Sequence, residues 1–247
     1  MRRHILILGG TTEARHIAAW LADRSDLDVT LSLAGRTAAP LVQPTPVRSG
    51  GFGGADGLAA YLRSKQTELV IDATHPYAAR ISRNAHVACA STGVPLLAVR
   101  RPPWRAQAGD RWTEVADAEA AIGALGPSAQ RVFLALGRQE LASFIAAPQH
   151  HYLVRSVDPV DPPLAVPSAR YIVARGPFSE SQDRELLVVN SIAAIVAKNS
   201  GGDSTYGKIA AARSLGIAVV LLRRPPQPVG PSVATVAEAV EWLAHVL

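Results

Sequence analysis

The chain has 247 residues and a formal net charge of +5, with 48% hydrophobic, 18% charged and only 5% aromatic residues. That balance excludes a disordered chain, and the single cysteine, Cys89, excludes an internal disulfide or a cysteine-built metal site. No apolar run is long enough to span a bilayer, and the basic start MRRHILILGG meets a glycine turn too soon for a signal peptide; a cytoplasmic protein without a membrane partner is expected.

The first half alternates strand and helix. HILIL (4–8) reads as a strand, and Ile17, Trp20 and Leu21 are spaced for the apolar face of a following helix. VTLSL (29–33) is a second strand. The glycine-rich SGGFGGADG (49–57) is a loop in which Asp56 is expected to cap the helix GLAAYLRSK. ELVIDATHP (68–76) carries a strand ending at Asp72. A helix over 77–92 leads through Gly93 to the strand VPLLAVR (94–100), stopped by Pro102–Pro103. Cys89 shares helical spacing with Ile81, Ala85 and Ala88, which makes it a small core residue.

The second half repeats this plan. RVFLALG (131–137) answers HILILGG, IAAIVAKNSGG (192–202) answers ELVIDATHP, and GIAVVLLRRPP (216–226) answers GVPLLAVRRPP (93–103). The offset between matching positions is nearly constant. This predicts an α/β chain of two similar doubly wound, Rossmann-like parallel-sheet domains, residues 1–103 and 104–247, with a cleft between them and the last helix, VAEAVEWLAHVL, free to pack on the first. Function is then expected at the C-terminal strand ends, in loops such as 9–13, 34–37, 72–77, 137–140 and 198–208.

Within the first of those loops, Gly9 and Gly10 allow a tight turn and close approach of a phosphate, and Thr11 or Thr12 can cap the next helix, whose N-terminus favours anions. The G-x-G-x-x-G fingerprint is absent. Glu13 would repel a pyrophosphate, so it is expected to turn away toward backbone donors, the sugar or a basic side chain. The second strand ends SLAGRT, with Arg36 where an NAD-preferring site carries an acid; a guanidinium pairs with a 2′-phosphate, which favours NADP(H) over NAD.

Other motifs fail on inspection. GDSTYGKI (202–209) fits G-x-x-x-x-G-K, but Ile209 stands where a phosphate-binding loop needs a hydroxyl for magnesium. The Tyr61–Lys65 spacing copies a dehydrogenase pair, yet Tyr61 belongs to the Leu58–Leu62 apolar face. The histidines show no metal-ligand spacing, so no metal site is expected. Basic pairs such as Arg100–Arg101 and Arg223–Arg224 are scattered, without the aromatic platform of a nucleic-acid binder, which points to an acidic small molecule.

With ILGGTTEAR, DATHPYA and KNSGGDSTYGKIAAARSLGIAVVLLRRP present in that order, the chain resembles the precorrin-6A reductase family of cobalamin (vitamin B12) biosynthesis over nearly its whole length. The resemblance implies hydride transfer from NADPH to a double bond of the acidic tetrapyrrole precorrin-6A, giving precorrin-6B. It places Gly9, Gly10, Thr11, Thr12 and Arg36 on the cofactor, and Thr74 and His75 near its nicotinamide. Tyr77, Lys198, Ser200, Gly201, Gly202, Tyr206 and Lys208 are assigned to the substrate, with Lys198 and Lys208 suited to its carboxylates and His75 or Tyr206 as proton donor. A plain surface position at the first turn of an alanine-rich helix is the alternative for Lys208. Asp72 reads as a structural anchor, and Arg100 and Arg223 either reach the cleft or simply end their strands. A monomer is expected. A cobalt-containing substrate, another polycarboxylate, a non-catalytic NADP-binding sensor and a basic nucleic-acid-binding protein stay open as alternatives.

Overall fold

The structure, a computed structural model, describes residues 2–35 and 41–247. The chain divides into two compact units, one of residues 1–102 with 225–247 and the other of residues 103–224. The boundary of the second domain therefore falls at Arg224, and the final segment that 104–247 had included belongs to the first unit. The reason is packing: Ala239 and Leu243 are fully buried with Ile5, Ile17 and Leu97 in one apolar cluster.

In the first unit the elements run β1 (Arg3–Leu8), α1 (Thr12–Ala22), β2 (Leu27–Leu33), β3 (Val47–Ser49), α2 (Ala55–Ser64), β4 (Thr67–Asp72), α3 (Ala79–Thr92) and β5 (Leu96–Val99). The second unit contains β6 (Trp112–Val115), α4 (Ala118–Leu125), β7 (Arg131–Ala135), α5 (Arg138–Leu141), β8 (His151–Ser156), β9 (Ala169–Val173), α6 (Glu180–Val189), β10 (Ala194–Lys198), α7 (Gly207–Leu215) and β11 (Ala218–Leu222). The chain then re-enters the first unit as β12 (Ser232–Val233) and α8 (Val236–Val246).

Each unit holds a six-stranded sheet, ordered β3-β2-β1-β4-β5-β12 in one and β9-β8-β7-β10-β11-β6 in the other, and every ladder is parallel. This is the doubly wound order, with helices covering both faces. It explains why the central strands are apolar without alternation: Ile5, Leu6, Ile7 and Leu8 are all buried, as are Ile195, Val196 and Ala197.

The sixth strand of each sheet comes from the stretch that follows the other unit's Arg-Arg-Pro-Pro. After Arg100–Pro103 the chain forms β6, which pairs with β11; after Arg223–Pro226 it forms β12, which pairs with β5. The exchanged pieces match in sequence, Val115-Ala116-Asp117 against Val233-Ala234-Thr235, and Asp117 and Thr235 are both N-caps, accepting from the Ala120 and Glu238 amides. Proline ends each fifth strand and forbids its continuation, while the same strand–cap–helix signal restarts structure in the other sheet. The two R-R-P-P repeats are plain in the sequence, whereas this exchange is visible only in the fold.

Local punctuation follows backbone chemistry. Gly93 and Gly216 end α3 and α7 with φ of 73° and 65°, a left-handed conformation that side chains with a Cβ disfavour. Gly93→Ala is expected to lower unfolding stability by about 1 kcal/mol, measured by urea denaturation. Asp56 is not the cap of α2: Gly54 holds that position at φ 98°, and Asp56 lies in the first turn, where its charge meets the helix N-terminus instead. Tyr61 packs edge-on to Phe52 beside the Leu58–Leu62 cluster, and buried Cys89 has its thiol pushed up to about 12 by burial, first, and by the Asp72 charge. His151 opens β8, preceded by fully buried His150.

Candidate functional site

Strand order reverses between β1 and β4 in the first unit and between β7 and β10 in the second, and the described residues singled out from sequence lie in or next to the loops after β1, β4 and β10.

The glycine turn of the first unit is dictated from below and above. A Cβ on Gly9 would lie 2.6 Å from Leu31 Cδ1 and 3.4 Å from Ala14 Cβ, so the bare backbone lets α1 approach β2; Gly10 adopts φ 107°. Thr11 is the N-cap of α1, its Oγ1 accepting from Ala14 N at 3.1 Å and donating to Ala73 O at 2.6 Å. That hydroxyl ties the end of β1 to the end of β4 and is committed within the protein. The N–H groups of Gly10, Thr11 and Thr12 meet no protein acceptor among the described residues, and the Thr12 side chain is exposed. Three unpaired amides at the start of an 11-residue helix form a cradle for an anion.

Glu13 turns toward a basic side chain. Arg101 grips its carboxylate with two bonds of 2.8 Å. Burial works against the Glu13 charge, but the hydrogen bond and charge of Arg101 outweigh it and hold the carboxyl below its usual range. The acid that would repel a phosphate is thereby neutralised by a guanidinium that sequence reading did not single out. Thr11, Glu13, Thr74, Pro76 and Arg101 line a small recess at this crest.

Asp72 anchors the next turn. It accepts from Thr74 N at 3.1 Å and Thr74 Oγ1 at 2.6 Å, and pairs closely with Arg100, which also donates to the Asp72 carbonyl at 3.1 Å. Arg100 is thus an internal partner of β4. Thr74 has its hydroxyl spent on Asp72, which fixes the turn that carries His75 and Tyr77. His75 Nδ1 accepts from Tyr77 N at 3.3 Å, an arrangement that puts the proton of a neutral imidazole on Nε2, and the two rings lie 5.6 Å apart. Gln227, from the returning segment, donates to Pro76 O at 2.7 Å and steadies the same turn. Arg36 lies outside the described residues. Beside the end of β2, Arg48 donates to Gly50 O and Gly51 O at 2.6 Å each and stacks on Phe52, shaping the loop that the sequence showed only as glycine-rich.

In the second unit the analogous turn differs. Gly137 opens a helix of only four residues, and Glu140 in its first turn pairs with Lys198 at the end of β10, 2.7 Å away. A Cβ on Gly137 would lie 2.8 Å from Glu140 Oε2, so this glycine makes room for the acid rather than for a ligand.

Residues 199–208 form the other half of that crest. Gly201 and Gly202 take φ of 66° and 68°. Asn199, nearly fully buried, accepts from Trp104 N at 2.8 Å and donates to Trp104 O at 3.0 Å. The N–H groups of Gly201, Gly202, Asp203, Ser204 and Thr205 find no acceptor among the described residues. Tyr206 packs its ring 5.7 Å from Trp104, and its hydroxyl accepts from Arg213 at 2.5 Å; Arg213 is in turn held by buried Asp110. That leaves the phenol its own proton to donate. Gly207 is a glycine for packing, because a Cβ would lie 2.7 Å from both Phe178 O and Ser179 O.

Lys208 stands apart from its expected place. It is only 4% exposed, donates to Thr205 O at 2.5 Å and lies 4.9 Å from the Trp104 ring, beneath the loop instead of on it. Burial, and then the charge of Arg155, bring its pKa down to about 7 against a smaller opposing effect of Asp183. Arg155 and Asp183 form a buried pair at 2.5 Å, with Arg155 stacked on Phe178. Arg223 is exposed, and the neighbouring Arg224 is the one that engages the loop, donating to Asn199 O and Ser200 O at 2.8 Å each. Arg101, Trp104, Asn199 and Arg224 were not picked out from sequence; the signal was their position in or next to an R-R-P-P or N-S-G-G stretch whose glycines and prolines drew the attention instead.

Among the described residues no group of three or more His, Cys, Asp and Glu is placed to hold a metal, and no helix is long and apolar enough to cross a membrane.

Three comparisons bear on this arrangement. A family model described as "Precorrin-6x reductase CbiJ/CobK" matches residues 4–244. A precorrin-6A reductase of Sinorhizobium sp is 55% identical over 98% of this chain and 92% of its own, and one of Rhodobacter capsulatus is 53% identical over 97% and 95%. A solved structure of CobK precorrin-6A reductase superposes with a TM-score of 0.94 at 53% identity, over 98% of this chain and 96% of that one.

Proposed function

The chain belongs to the precorrin-6x reductase CbiJ/CobK family, and on that premise we propose that it is an oxidoreductase of cobalamin biosynthesis that reduces a double bond of precorrin-6A to give precorrin-6B, with NADPH as reductant. The relatives that share more than half of its residues carry the name of the cobalt-free reaction, which favours the cobalt-free substrate.

The first unit takes the cofactor in this reading. The observation that carries it is the first glycine turn itself: among the described residues the amides of Gly10, Thr11 and Thr12 have no protein acceptor and open an 11-residue α-helix, whereas Gly137 in the second unit is followed by a four-residue α-helix that continues as a 3-10 turn. Those amides and the helix N-terminus suit a pyrophosphate. The Glu13–Arg101 pair keeps the acid from opposing it. Arg36 meets the 2′-phosphate, and Thr74 and His75 border the nicotinamide. When bound, NADPH supplies the hydride that reduces the macrocycle.

The chain's own part is to bind, orient and protonate. Lys198, Ser200 and the amides of Gly201 and Gly202 receive substrate carboxylates, with Tyr77 a further contact. Lys208 acts from beneath by holding Thr205 O, a change from the direct contact that its sequence position suggests. The proton that completes the reduction comes from His75 Nε2 or Tyr206 Oη, both of which retain one to give.

Anaerobic turnover of precorrin-6A with NADPH and with NADH tests the assignment. Arg36→Ala is expected to raise KM for NADPH about tenfold to hundredfold, the worth of a hydrogen bond to a charged group, and to leave KM for NADH unmoved. An unchanged preference would remove Arg36 from this role, and absence of turnover with either cofactor would sink the proposal as a whole.

A further inference from the structure

Residues 199–205 divide their backbone polar groups unequally. Six carbonyls of the loop accept from the protein: Asn199 O and Ser200 O from Arg224, Gly202 O from Trp104 Nε1 at 2.8 Å, Asp203 O from Tyr206 N at 3.0 Å, Ser204 O from Phe178 N at 3.1 Å and Thr205 O from Lys208 Nζ. Five successive amides, Gly201 to Thr205, have no acceptor among the described residues. An ordinary loop satisfies both kinds of group with protein or water at similar rates. Here the side chains at work are all donors, and they use up one polarity of the loop.

Two of those donors sit at special points of the chain. Trp104 is the second residue of the second unit, and Arg224 is its last. Trp104 is mostly buried, and it is fixed by more than its indole: Asn199 brackets its backbone on both sides, Lys208 lies over its ring, and Tyr206 packs against it. Arg224 spans two consecutive carbonyls with the fork of one guanidinium, which a lysine's point charge cannot do.

We propose that Trp104 and Arg224 are positioning residues for reduction of the macrocycle: by fixing the carbonyls of Asn199, Ser200 and Gly202 they keep the 201–205 amides unpaired and preorganised for a substrate carboxylate. The inference rests on the reading that this loop takes such a carboxylate. Neither side chain touches substrate; each acts through the loop. Preorganisation of this kind lowers the cost of binding and is felt in KM for the acid and not in the cofactor's.

Two measurements separate the loop reading from the positioning claim. Amide resonances of Gly201–Thr205 in the ¹⁵N-labelled protein are expected to shift when precorrin-6A is added, and their failure to shift overturns the carboxylate reading and the inference with it. Trp104→Phe, which keeps a ring over Lys208 and Tyr206 but loses the indole donor, is expected to raise KM for precorrin-6A about fivefold, as for one net hydrogen bond. Arg224→Lys is expected to act in the same direction, and in both variants kcat at saturation and KM for NADPH stay within about twofold. Shifting amides with an unmoved KM for precorrin-6A in both variants would leave the loop reading standing and overturn the positioning role. If neither variant folds, the Trp104 indole N–H resonance of the unaltered protein decides: a shift on substrate addition supports the role, and invariance overturns it.

Discussion

Asp72→Ala is expected to cost about 3–5 kcal/mol of unfolding free energy, because it strands a largely buried arginine without its counter-ion. Asp72 is 1% exposed, accepts two hydrogen bonds from Thr74 and pairs with Arg100, and among the described residues Arg100 forms no other ion pair. The same change frees the Thr74 turn that leads to His75. On the proposed cofactor reading, KM for NADPH should therefore rise as stability falls. Burial opposes the Asp72 charge, but the Arg100 charge and the hydrogen bonds from Arg100, Thr74 and Ser82 prevail and hold its carboxyl below the ordinary 3.8. The folded state therefore binds this proton less readily than the unfolded chain does. The stabilisation is present in full above about pH 4 and disappears as pH falls through the lower folded value, so the gap between wild type and variant should close in strong acid. Urea unfolding at pH 7 and at decreasing pH reads both effects. A loss below about 1 kcal/mol at pH 7 would show that Arg100 finds another partner and that the anchor is dispensable.

The legible part of this molecule is what local chemistry dictates. Buried parallel strands need unbroken apolar runs, and ILIL and AIVA supplied them; left-handed helix ends need glycine, and Gly93 and Gly216 marked them. The turn at Gly9–Thr12 was readable for the same reason, since a tight strand-to-helix corner leaves few residues to choose from. Partnerships across the chain were not readable. Glu13 announced a need for a cation, but Arg101, 88 positions on, could be matched to it only once β1 and β5 were known to flank β4. Arg100 and Arg223 occupy equal places in the repeat yet do different things, one buried against Asp72 and the other exposed. The exchanged strands escaped notice because β12 has two residues and β6 four, too short for any period to show. Lys208 misled because the first turn of a helix is normally exposed; here Gly207 lets the turn press onto Phe178 and Ser179, and the lysine goes inside.

That burial leads to the second large effect. Lys208→Met is expected to make the second unit more stable, by about 2 kcal/mol near pH 7, while impairing the reaction. The difference between the ordinary lysine value of 10.5 and the folded value of about 7 sets an upper bound of about 5 kcal/mol on what the buried ammonium costs. Methionine fills the same volume without charge, but it abandons Thr205 O, which returns about 1–3 kcal/mol of that gain. The pH dependence has a definite sign. Between about pH 7 and 10.5 the unfolded chain carries a proton on this side chain that the folded chain does not, so wild-type stability rises with pH across that window, and below about 7 the whole penalty is in force. The advantage of methionine should consequently be greatest at and below neutrality and vanish toward pH 10. If the 199–205 loop takes a substrate carboxylate as proposed, precorrin-6A should bind the variant more weakly, since the Thr205 carbonyl is released. Denaturant unfolding of both proteins from pH 6 to 10, paired with KM for the substrate, decides the matter: a variant less stable at pH 6, or a gap independent of pH, would mean that Lys208 is well accommodated in its charged form and that the loop does not depend on a strained support.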